Sequence, residues 1–552
     1  MMRFFLTFCA AAAAFSAFAK IDITSSVKNG DKIAGTVEIR VTVTADATVN
    51  SVEFYVNGDL RSTDTSTPYL YSLDTLPEKE GPLKLTIGAY SSAGESKKVD
   101  LNLTVDNGVS QGVKFHVDNA VRFLQVSKWN EALQAARVAL KADENSVDAK
   151  VAMARAYMGK QEFDKAQQWA EDALITKETV QVHELLAVIN ADRAFSIISR
   201  SGDRGDALKN IVTAMKAAVV QKKASVDMQI KEAGPVTDAN RLKVVDLLMQ
   251  KHDYSAARRY LLEKFSEGTP DLHIGNRLIY ATFRSGRIDE TFRLMELMRK
   301  KEVMNSTTYA LDAALRAYYR HWDLAEAAIK DGGFDDADDP ALISSAAYVA
   351  LMQGDKAAAG SQVRRMIDKN INDSAALYFT QTLMFFTGQY SAAREYFHKT
   401  IVKDPLTFES FIERGYEALA IVQNPPAGFE KDKPIILEQA LSFFQLAQDV
   451  KPDAAAALNG IALAKLYQGK GTEALSMAKA AVAAGPEFPW AHYTLAAAYD
   501  ATGDYRTAIK EVDEGGRLDP HVLRGRNVPS IAQAYDYTYR YARMPLLVMP
   551  KS

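Results

Sequence analysis

A short pattern recurs along most of this chain at a spacing of 34 residues, and this spacing constrains the fold more than any other feature. The pattern is a large apolar residue followed three positions later by a small one, as at Trp129 and Ala132. Its small positions are Ala132, Ala166, Ala257, Thr291, Ala325, Ala358, Ala393, Ala440, Ala474 and Ala508. A repeat of this length is one supersecondary unit that buries its apolar face only against its neighbours. The sequence therefore predicts a stack of similar helical units over residues 112–520.

Proline and glycine positions add to the pattern. A proline follows the small position by twelve residues in four repeats, at Pro405, Pro452, Pro486 and Pro520. Because proline ends a helix, each marks the point where the second helix of a hairpin stops. The last repeat is the fullest, with Leu495, Ala496, Tyr499, Gly503, Tyr505, Ala508 and Pro520. Residues 112–520 thus resemble the tetratricopeptide repeat (TPR) family, which implies an all-α superhelical solenoid of about ten to eleven helical hairpins.

Two stretches break the regular spacing. Residues 180–236 lie in the gap between Ala166 and Ala257, where we expect a repeat near Ala207 with longer helices or loops. Residues 424–434 are rich in proline and lie between the two helices of one hairpin, where they cannot be helical. This second stretch is either the edge of a binding groove or a tolerated surface insertion.

The resemblance also implies a binding surface. In this family the second, fifth, ninth and twelfth positions of a repeat face a concave groove. Here those positions give the candidates Arg155, Asn276, Tyr280, Phe283, Tyr378, Phe385, Arg414, Asn459, Trp490 and Tyr493. Aromatic, arginine and asparagine side chains suit peptide recognition, although single rings often pack between neighbouring hairpins instead. The lysine and asparagine clamp for a C-terminal carboxylate is absent.

The N-terminal part has a different periodicity. Residues 37–43, 52–56, 83–87 and 99–105 alternate apolar and polar side chains, and Asn57-Gly58 is a hairpin turn signal. Residues 52–58, 67–69 and 89–94 resemble bacterial Ig-like domains, which implies a small all-β sandwich over residues 20–108. Its tyrosines either pack in the core or contact glycan; they are Tyr55, Tyr69, Tyr71 and Tyr90.

Residues 1–19 read as a secretory signal peptide. Arg3 precedes an apolar run over residues 4–18, and Ala17-Phe18-Ala19 forms a cleavage site before Lys20. An uncleaved anchor is the alternative. Cys9 is the only cysteine, so the cleaved chain has no disulfide and no thiolate metal site. We expect an extracytoplasmic protein that is either periplasmic or secreted, with attachment to the cell surface as a further alternative. We expect no transmembrane segment after cleavage.

Charge and motifs argue against several classes of function. The net charge of −3 gives no reason to expect a nucleic-acid ligand. His183-Glu184 begins a zinc-protease pattern, but Ala187 stands where the second histidine is needed. We therefore expect that the protein binds no cofactor and is not an enzyme. The alternative that the sequence leaves open is a catalytic site built only from carboxylates. A weak calcium candidate is the cluster Asp331, Asp335, Asp336, Asp338 and Asp339, whose alternative is a solvated loop with a helix-capping aspartate.

Beyond Pro520 the repeat pattern ends. Residues 530–543 are predicted to form a helix that covers the last hairpin, and the alternating Tyr535, Tyr537, Tyr539 and Tyr541 make a strand the alternative. The apolar tail over residues 545–550 either packs back on the array or serves as a docking strip. The hypothesis is a scaffold that binds proteins or peptides of the cell envelope or medium. The alternative is an adhesion or polysaccharide-associated assembly protein whose Ig-like domain contacts glycan.

Overall fold

The computed structural model describes residues 21–519, 527–541, 543 and 546, and the chain divides into two compact units. The first unit is residues 1–176 and the second is residues 177–552. The predicted signal peptide, Cys9, Pro520 and most of the apolar tail lie outside the described residues.

The first unit begins with a sandwich of two sheets. One sheet has the strand order β1-β3-β6 and the other has β2-β8-β7-β4-β5, with β2 and β8 parallel and the other pairs antiparallel. The strands are β1 (Asp22–Ser25), β2 (Lys32–Ile33), β3 (Thr36–Thr44), β4 (Val49–Val56), β5 (Asp59–Asp64), β6 (Tyr69–Asp74), β7 (Gly81–Ser91) and β8 (Ser96–Val105). Alternate residues such as Val52, Phe54 and Leu85 point inward and are fully buried. Asn57 and Gly58 both have positive φ, as the tight turn between β4 and β5 requires.

Four helices complete the first unit: α1 (Gly112–Gln125), α2 (Trp129–Ala142), α3 (Val147–Gly159) and α4 (Phe163–Thr176). The sandwich is fastened to α2 by side chains. Arg137 forms an ion pair with Asp74, and the Lys141 ammonium donates to the carbonyls of Leu76 and Glu78. These contacts explain why the first two hairpins and the sandwich form one compact unit, although periodicity separates them near residue 110.

The second unit is all-helical in its described part. Its helices are α5 (Val180–Ser201), α6 (Asp206–Ala233), α7 (Arg241–Gln250), α8 (Tyr254–Leu262), α9 (Leu272–Arg284), α10 (Ile288–Lys300), α11 (Ser306–Tyr318), α12 (Trp322–Asp336), α13 (Pro340–Gln353), α14 (Lys356–Asp368), α15 (Ser374–Phe386), α16 (Tyr390–Lys403), α17 (Phe408–Gln423), α18 (Lys433–Val450), α19 (Ala455–Tyr467), α20 (Gly471–Ala484), α21 (Pro489–Ala501), α22 (Tyr505–Leu518) and α23 (Ile531–Tyr541). The long pair α5 and α6 accounts for the irregular spacing before Ala257. The proline-rich stretch separates α17 from α18, but the prediction that all of residues 424–434 are non-helical is wrong. Glu430–Asp432 form a 3-10 helix and α18 begins at Lys433, because proline is tolerated in the first turn of a helix.

The small positions of the repeat lie in the second helix of each hairpin. Each is fully buried except Ala358, which is only partly buried beside the fully buried Ala359. Ala359 stands 34 residues after Ala325 and 34 before Ala393, so it is the true anchor of that hairpin. The slip arose because consecutive alanines look alike in sequence, whereas only one of them faces the neighbouring helix.

A left-handed residue joins the two helices of each regular hairpin, five positions before the anchor. The residues with positive φ there are Ser127, Gln161, His252, Gly286, Arg320, Gly354, Gly388, Gly469 and Gly503. The next amide donates to the carbonyl five residues back, for example from Asp504 to Tyr499 at 2.9 Å. This is the Schellman arrangement, which ends the first helix and reverses the chain.

No helix within residues 21–519 or 527–541 is both long and apolar enough to cross a bilayer.

Candidate functional site

A cavity of about 710 Å³ opens inside the second unit, and we call it the central cavity. Its walls come from elements far apart in the sequence, including α9, α17, α21 and α23. The lining residues are 251–255, 283–286, 288, 378, 408, 409, 412, 413, 416, 450–456, 484, 486–488, 490, 539 and 543. A cavity of this size can enclose several side chains of a ligand.

Several aromatic side chains line the central cavity. Phe283, Tyr378 and Trp490, three of the predicted groove residues, line it together and are almost fully buried. The Trp490 ring stacks on Phe488 with centroids 4.9 Å apart, and Tyr318 meets Phe488 edge-on. Rings held this rigidly offer contact area at low entropic cost.

A buried ion pair lines the central cavity. The Arg284 guanidinium lies 2.7 Å from the Glu409 carboxylate, and both side chains are almost completely buried. The Tyr254 ring lies 4.8 Å from the guanidinium carbon, and the Tyr280 hydroxyl accepts from Arg284 at 3.1 Å. A buried pair of this kind is sensitive to loss of either member, because the other charge would be left without a partner.

His252 lies beside this pair at one of the left-handed turn positions, with φ 66°. Its Nε2–H donates to the Leu406 carbonyl at 2.7 Å, which leaves Nδ1 to accept from the Tyr254 hydroxyl at 3.0 Å. Burial, assisted by the charge of Arg284, lowers the pKa of His252 to about 3. The imidazole is therefore neutral at physiological pH and has a structural role in closing α8 against the start of α17.

A second charge cluster surrounds α17. Arg414 pairs with Asp203 and with Glu417, and Arg543 binds Glu413 through two hydrogen bonds of 2.7 and 2.9 Å. Burial raises the pKa of Glu417 to about 7, against the opposing effect of Arg414. Glu417 thus changes charge near neutral pH inside the second unit.

Charged residues also mark the rim of the central cavity. Asp253 and Asp453 are exposed there, and Glu487 is half-buried with its pKa raised by burial. Asp253 caps α8 by accepting from the Ala256 amide, and Asp453 pairs with Lys451 at 2.7 Å. For Asp253 and Glu487 the described structure gives no ion pair.

A second cavity, of about 430 Å³, adjoins the first. Tyr254, His252 and Glu409 line both cavities, and Tyr280 from the predicted groove lines only this one. Leu546 also lines it and is almost fully buried. The C-terminal tail therefore packs back inside the second unit at this residue.

The other predicted groove residues lie elsewhere. Arg155 is half-buried in α3 of the first unit, Asn276 accepts from Thr308 Oγ1 at 2.8 Å between α9 and α11, and Phe385 packs on Tyr390. Asn459 and Tyr493 face α23 rather than open space.

Several cavity residues were not among the sequence candidates. These are His252, Tyr254, Arg284, Glu409, Glu413, Tyr416, Tyr539 and Arg543. His252, Tyr254, Arg284 and Glu409 come from turns and helix ends, whereas Glu413 and Tyr416 lie within α17, where the only candidate from the sequence was Arg414. For α23, the spacing of Tyr535, Tyr539 and Arg543 by four residues was an available signal, because it places them on one helix face.

The aspartate cluster near residue 335 is dispersed among other contacts. Asp335 accepts from the Ser306 amide, Asp338 pairs with Lys369, and Asp339 caps α13 through the Ala341 amide. Among the described residues, no group of three or more metal-ligating side chains converges.

The tyrosines of the sandwich differ in exposure. Tyr69 is buried, and Tyr71 stacks on Phe54 at 5.2 Å. Tyr55 and Tyr90 are half-exposed on adjacent strands β4 and β7, with the Lys98 ammonium 4.6 Å from the Tyr55 ring centroid. Tyr71 is also half-exposed, so Tyr69 is the one of these four tyrosines that is buried.

Comparisons with known proteins agree with this architecture. A model described as a bacterial Ig domain matches residues 20–91, and one described as tetratricopeptide repeat matches residues 123–189 and 465–524. A solved structure described as APC/C hetero-tetramer Cut9-Hcn1 is similar at 12% identity and TM-score 0.41, over 79% of this chain and 85% of that chain. Yeast Tom70 is similar at 15% identity and TM-score 0.31, over 78% and 95% of the two chains. A thermophilic TPR protein of Thermus thermophilus, TTC0263, is similar at 23% identity and TM-score 0.29, over 34% and 90%. No curated protein sequence matches the chain.

Proposed function

We propose that this chain, a tetratricopeptide-repeat protein with an N-terminal bacterial Ig domain, is a non-catalytic scaffold that holds a protein partner in the central cavity of its second unit. The observation that carries the proposal is that Phe283, Tyr378 and Trp490, three of the predicted groove residues, all line the central cavity. These residues belong to three hairpins, and aromatic side chains of this kind serve as anchors on peptide-binding surfaces.

The charges of the cavity indicate the kind of partner. Glu409 and Glu413 are paired with arginines and Asp453 is paired with Lys451, whereas Glu487 and the exposed Asp253 have no ion pair in the described structure. A partner that enters here would bring apolar or aromatic side chains for the wall and a basic residue for the rim. A polypeptide segment carries both within a few residues.

The location we propose is outside the cytoplasm, in the periplasm or beyond it. The support comes from the sequence of residues 1–19, with a basic start, an apolar run and a small-residue cleavage site. The mass of the protein recovered from its native host tests this proposal. A mass that corresponds to a chain beginning at Lys20 supports it. A mass that includes residues 1–19, found in the cytoplasmic fraction, contradicts it.

Affinity capture with the full chain tests the binding function. We expect the double variant Asp453→Lys and Glu487→Lys to capture about tenfold less partner than the unmodified chain, or less still, because reversed rim charges repel a basic segment. The matched control is Asp331→Lys with Asp368→Lys, which makes the same charge change at exposed positions remote from the cavity. Equal capture by both double variants would move the binding site away from the cavity.

A second candidate function is contact with glycan through the sandwich. The observation in its favour is the half-exposed pair Tyr55 and Tyr90 beside Lys98. The same capture with Tyr55→Ala and Tyr90→Ala separates the two functions: loss of glycan with retention of protein assigns this face to glycan. Retention of both ligands by this variant removes the candidate.

A further inference from the structure

Helix α23 lies along the first helices of the repeat instead of continuing the stack. It packs against α21 and α19, and its side chains reach α17. A next repeat would place its first helix against both helices of the preceding hairpin, as α21 packs against α20 and α19. Helix α23 therefore occupies the position of a ligand on the inner face of the array, and we call residues 531–543 the C-terminal segment.

One ridge of the C-terminal segment faces α17. Tyr535 and Tyr539 stack on each other at 5.5 Å, and both rings lie within 6.4 Å of the Tyr416 ring. The Tyr535 hydroxyl donates to the Tyr416 carbonyl at 3.2 Å. Because the two tyrosines are four residues apart, they form a continuous aromatic ridge on one helix face.

The opposite ridge faces α21 and the turn after α11. Tyr537 meets Tyr493 edge-on at 4.9 Å, and the guanidinium carbon of Arg320 lies 3.5 Å from the Tyr541 ring centroid. Arg320 also donates to the Tyr537 hydroxyl at 3.1 Å. Aromatic contacts on two opposite sides are typical of a helix held in a groove, since a helix on a surface would bury only one stripe.

An arginine anchors the end of the segment. Arg543 makes its two-pronged contact with Glu413 while its guanidinium carbon lies 4.2 Å from the Tyr539 ring centroid. The Tyr348 hydroxyl donates to the Arg543 carbonyl at 2.8 Å, so α13 also binds the segment. Planar two-pronged pairing of a buried arginine is specific for that residue type.

The C-terminal segment also has the properties of a separable helix. Ser530 and Gln533 cap its N-terminus reciprocally, which makes the helix start independent of the array. Arg540 is exposed, and the exposed Asp536 accepts from Gln423 Nε2 at 2.7 Å. The segment therefore carries its own N-terminal cap and its own recognition residues.

We infer that the C-terminal segment occupies in cis the groove into which a partner helix docks, and that this partner helix bears two aromatic residues and an arginine at successive spacings of four. The inference rests on the proposed function, since it names the chemistry of the partner and the segment that the partner displaces. The groove is the face formed by Glu413, Tyr416, Asn459 and Tyr493, next to the central cavity.

Displacement in trans tests the inference with the full chain. The probe is a fluorescein-labelled peptide of residues 529–546, and binding is read by fluorescence anisotropy. We expect Tyr539→Ala with Arg543→Ala to bind the peptide at least about tenfold more tightly than the unmodified chain, because the competing cis helix is weakened. The control is Arg540→Ala, which removes the exposed arginine of the same segment. Adding Glu413→Gln to the double variant should lower the affinity for the peptide again by about tenfold, because the arginine of the peptide loses its carboxylate partner.

A second measurement needs no variant. Hydrogen exchange of the unmodified chain should show α23 opening locally, with less protection than α19 and α21. Equal protection of the three helices, or a double variant whose whole second unit melts with the segment, would make α23 a core element and overturn the inference. Peptide binding that is the same for all variants would overturn it as well. The capture experiment with the rim variant changes only rim charges and leaves the sequence of α23 unmodified. Its failure would contradict the proposed function, and the peptide-binding result could still be interpreted separately.

Discussion

At the scale of single residues, the second unit concentrates charge in its interior. Arg284, Arg414 and Arg543 each pair with carboxylates on α17. Paired charges of this kind contribute little net stability compared with apolar packing, but they fix which elements meet. Here they specify that α9, α17 and the C-terminal segment meet around the central cavity.

Glu417 gives this cluster a measurable pH dependence. Its pKa of about 7 in the folded chain exceeds its ordinary value of 4.5, so the folded state binds more protons between these values. The contribution of Glu417 to the free energy of unfolding should therefore fall as pH rises from about 4.5 to 7 and stay constant above 7. We expect Glu417→Gln, which keeps an acceptor for Arg414, to gain stability relative to the unmodified chain from pH 5 to pH 8. Urea unfolding at the two pH values measures this, and a difference between the two proteins that does not change with pH would contradict it.

Residue patterns predicted part of this picture. The groove positions of the repeat pointed to Phe283, Tyr378 and Trp490, which all line the central cavity. The ion pairs could not be predicted, because Arg284 and Glu409 are 125 residues apart and meet only through the stacking of hairpins. Whether these residues bind a partner remains the prediction tested above.

At the scale of elements, a left-handed residue recurs in the turn between the two helices of the regular hairpins, in both units. Glycine fills it in five hairpins and other residues fill it in four, at Ser127, Gln161, His252 and Arg320. A side chain costs about 1 kcal/mol or more there. His252 and Arg320 offset this cost with contacts to Leu406 and to the C-terminal segment.

Gln161 is exposed, and no hydrogen bond of its side chain is seen in the described structure. We expect Gln161→Gly to raise the free energy of unfolding of the first unit by about 0.5–1 kcal/mol, because it relieves the left-handed backbone. The control Gln168→Gly, at an exposed position inside α4, should lower it by about 1 kcal/mol. Chemical denaturation measures both, and equal destabilisation by the two changes would contradict this account of the turn.

The elements themselves were largely predictable. Period-two alternation located β3, β4, β7 and β8, and the 34-residue spacing located the hairpins, because both patterns are local. The short strand β2 pairs only with the distant β8 and left no pattern. The sequence also predicted α23, but its tyrosine spacing was ambiguous between helix and strand, and its place against α17 depends on contacts over more than 100 residues.

At the scale of the whole molecule, the two units combine different kinds of structure. The first unit joins an Ig sandwich to two hairpins through Arg137 and Lys141. The second unit encloses the central cavity and its own C-terminal segment. The predicted fold class, a small β-sandwich followed by an α-solenoid of TPR hairpins, is confirmed. The central cavity was not predictable, because its lining residues come from elements as far apart in the sequence as α9 and α23.

Hydrogen exchange of the full chain with and without its captured partner tests the central claim most directly. The account predicts that a saturating partner protects the amides around the cavity rim, at residues 449–456 and 484–490, and exposes those of α23. The second helices of the hairpins and the sandwich should exchange unchanged. Protection confined to the sandwich or to the second helices, with the rim and α23 unaffected, would contradict the claim that the central cavity holds the partner.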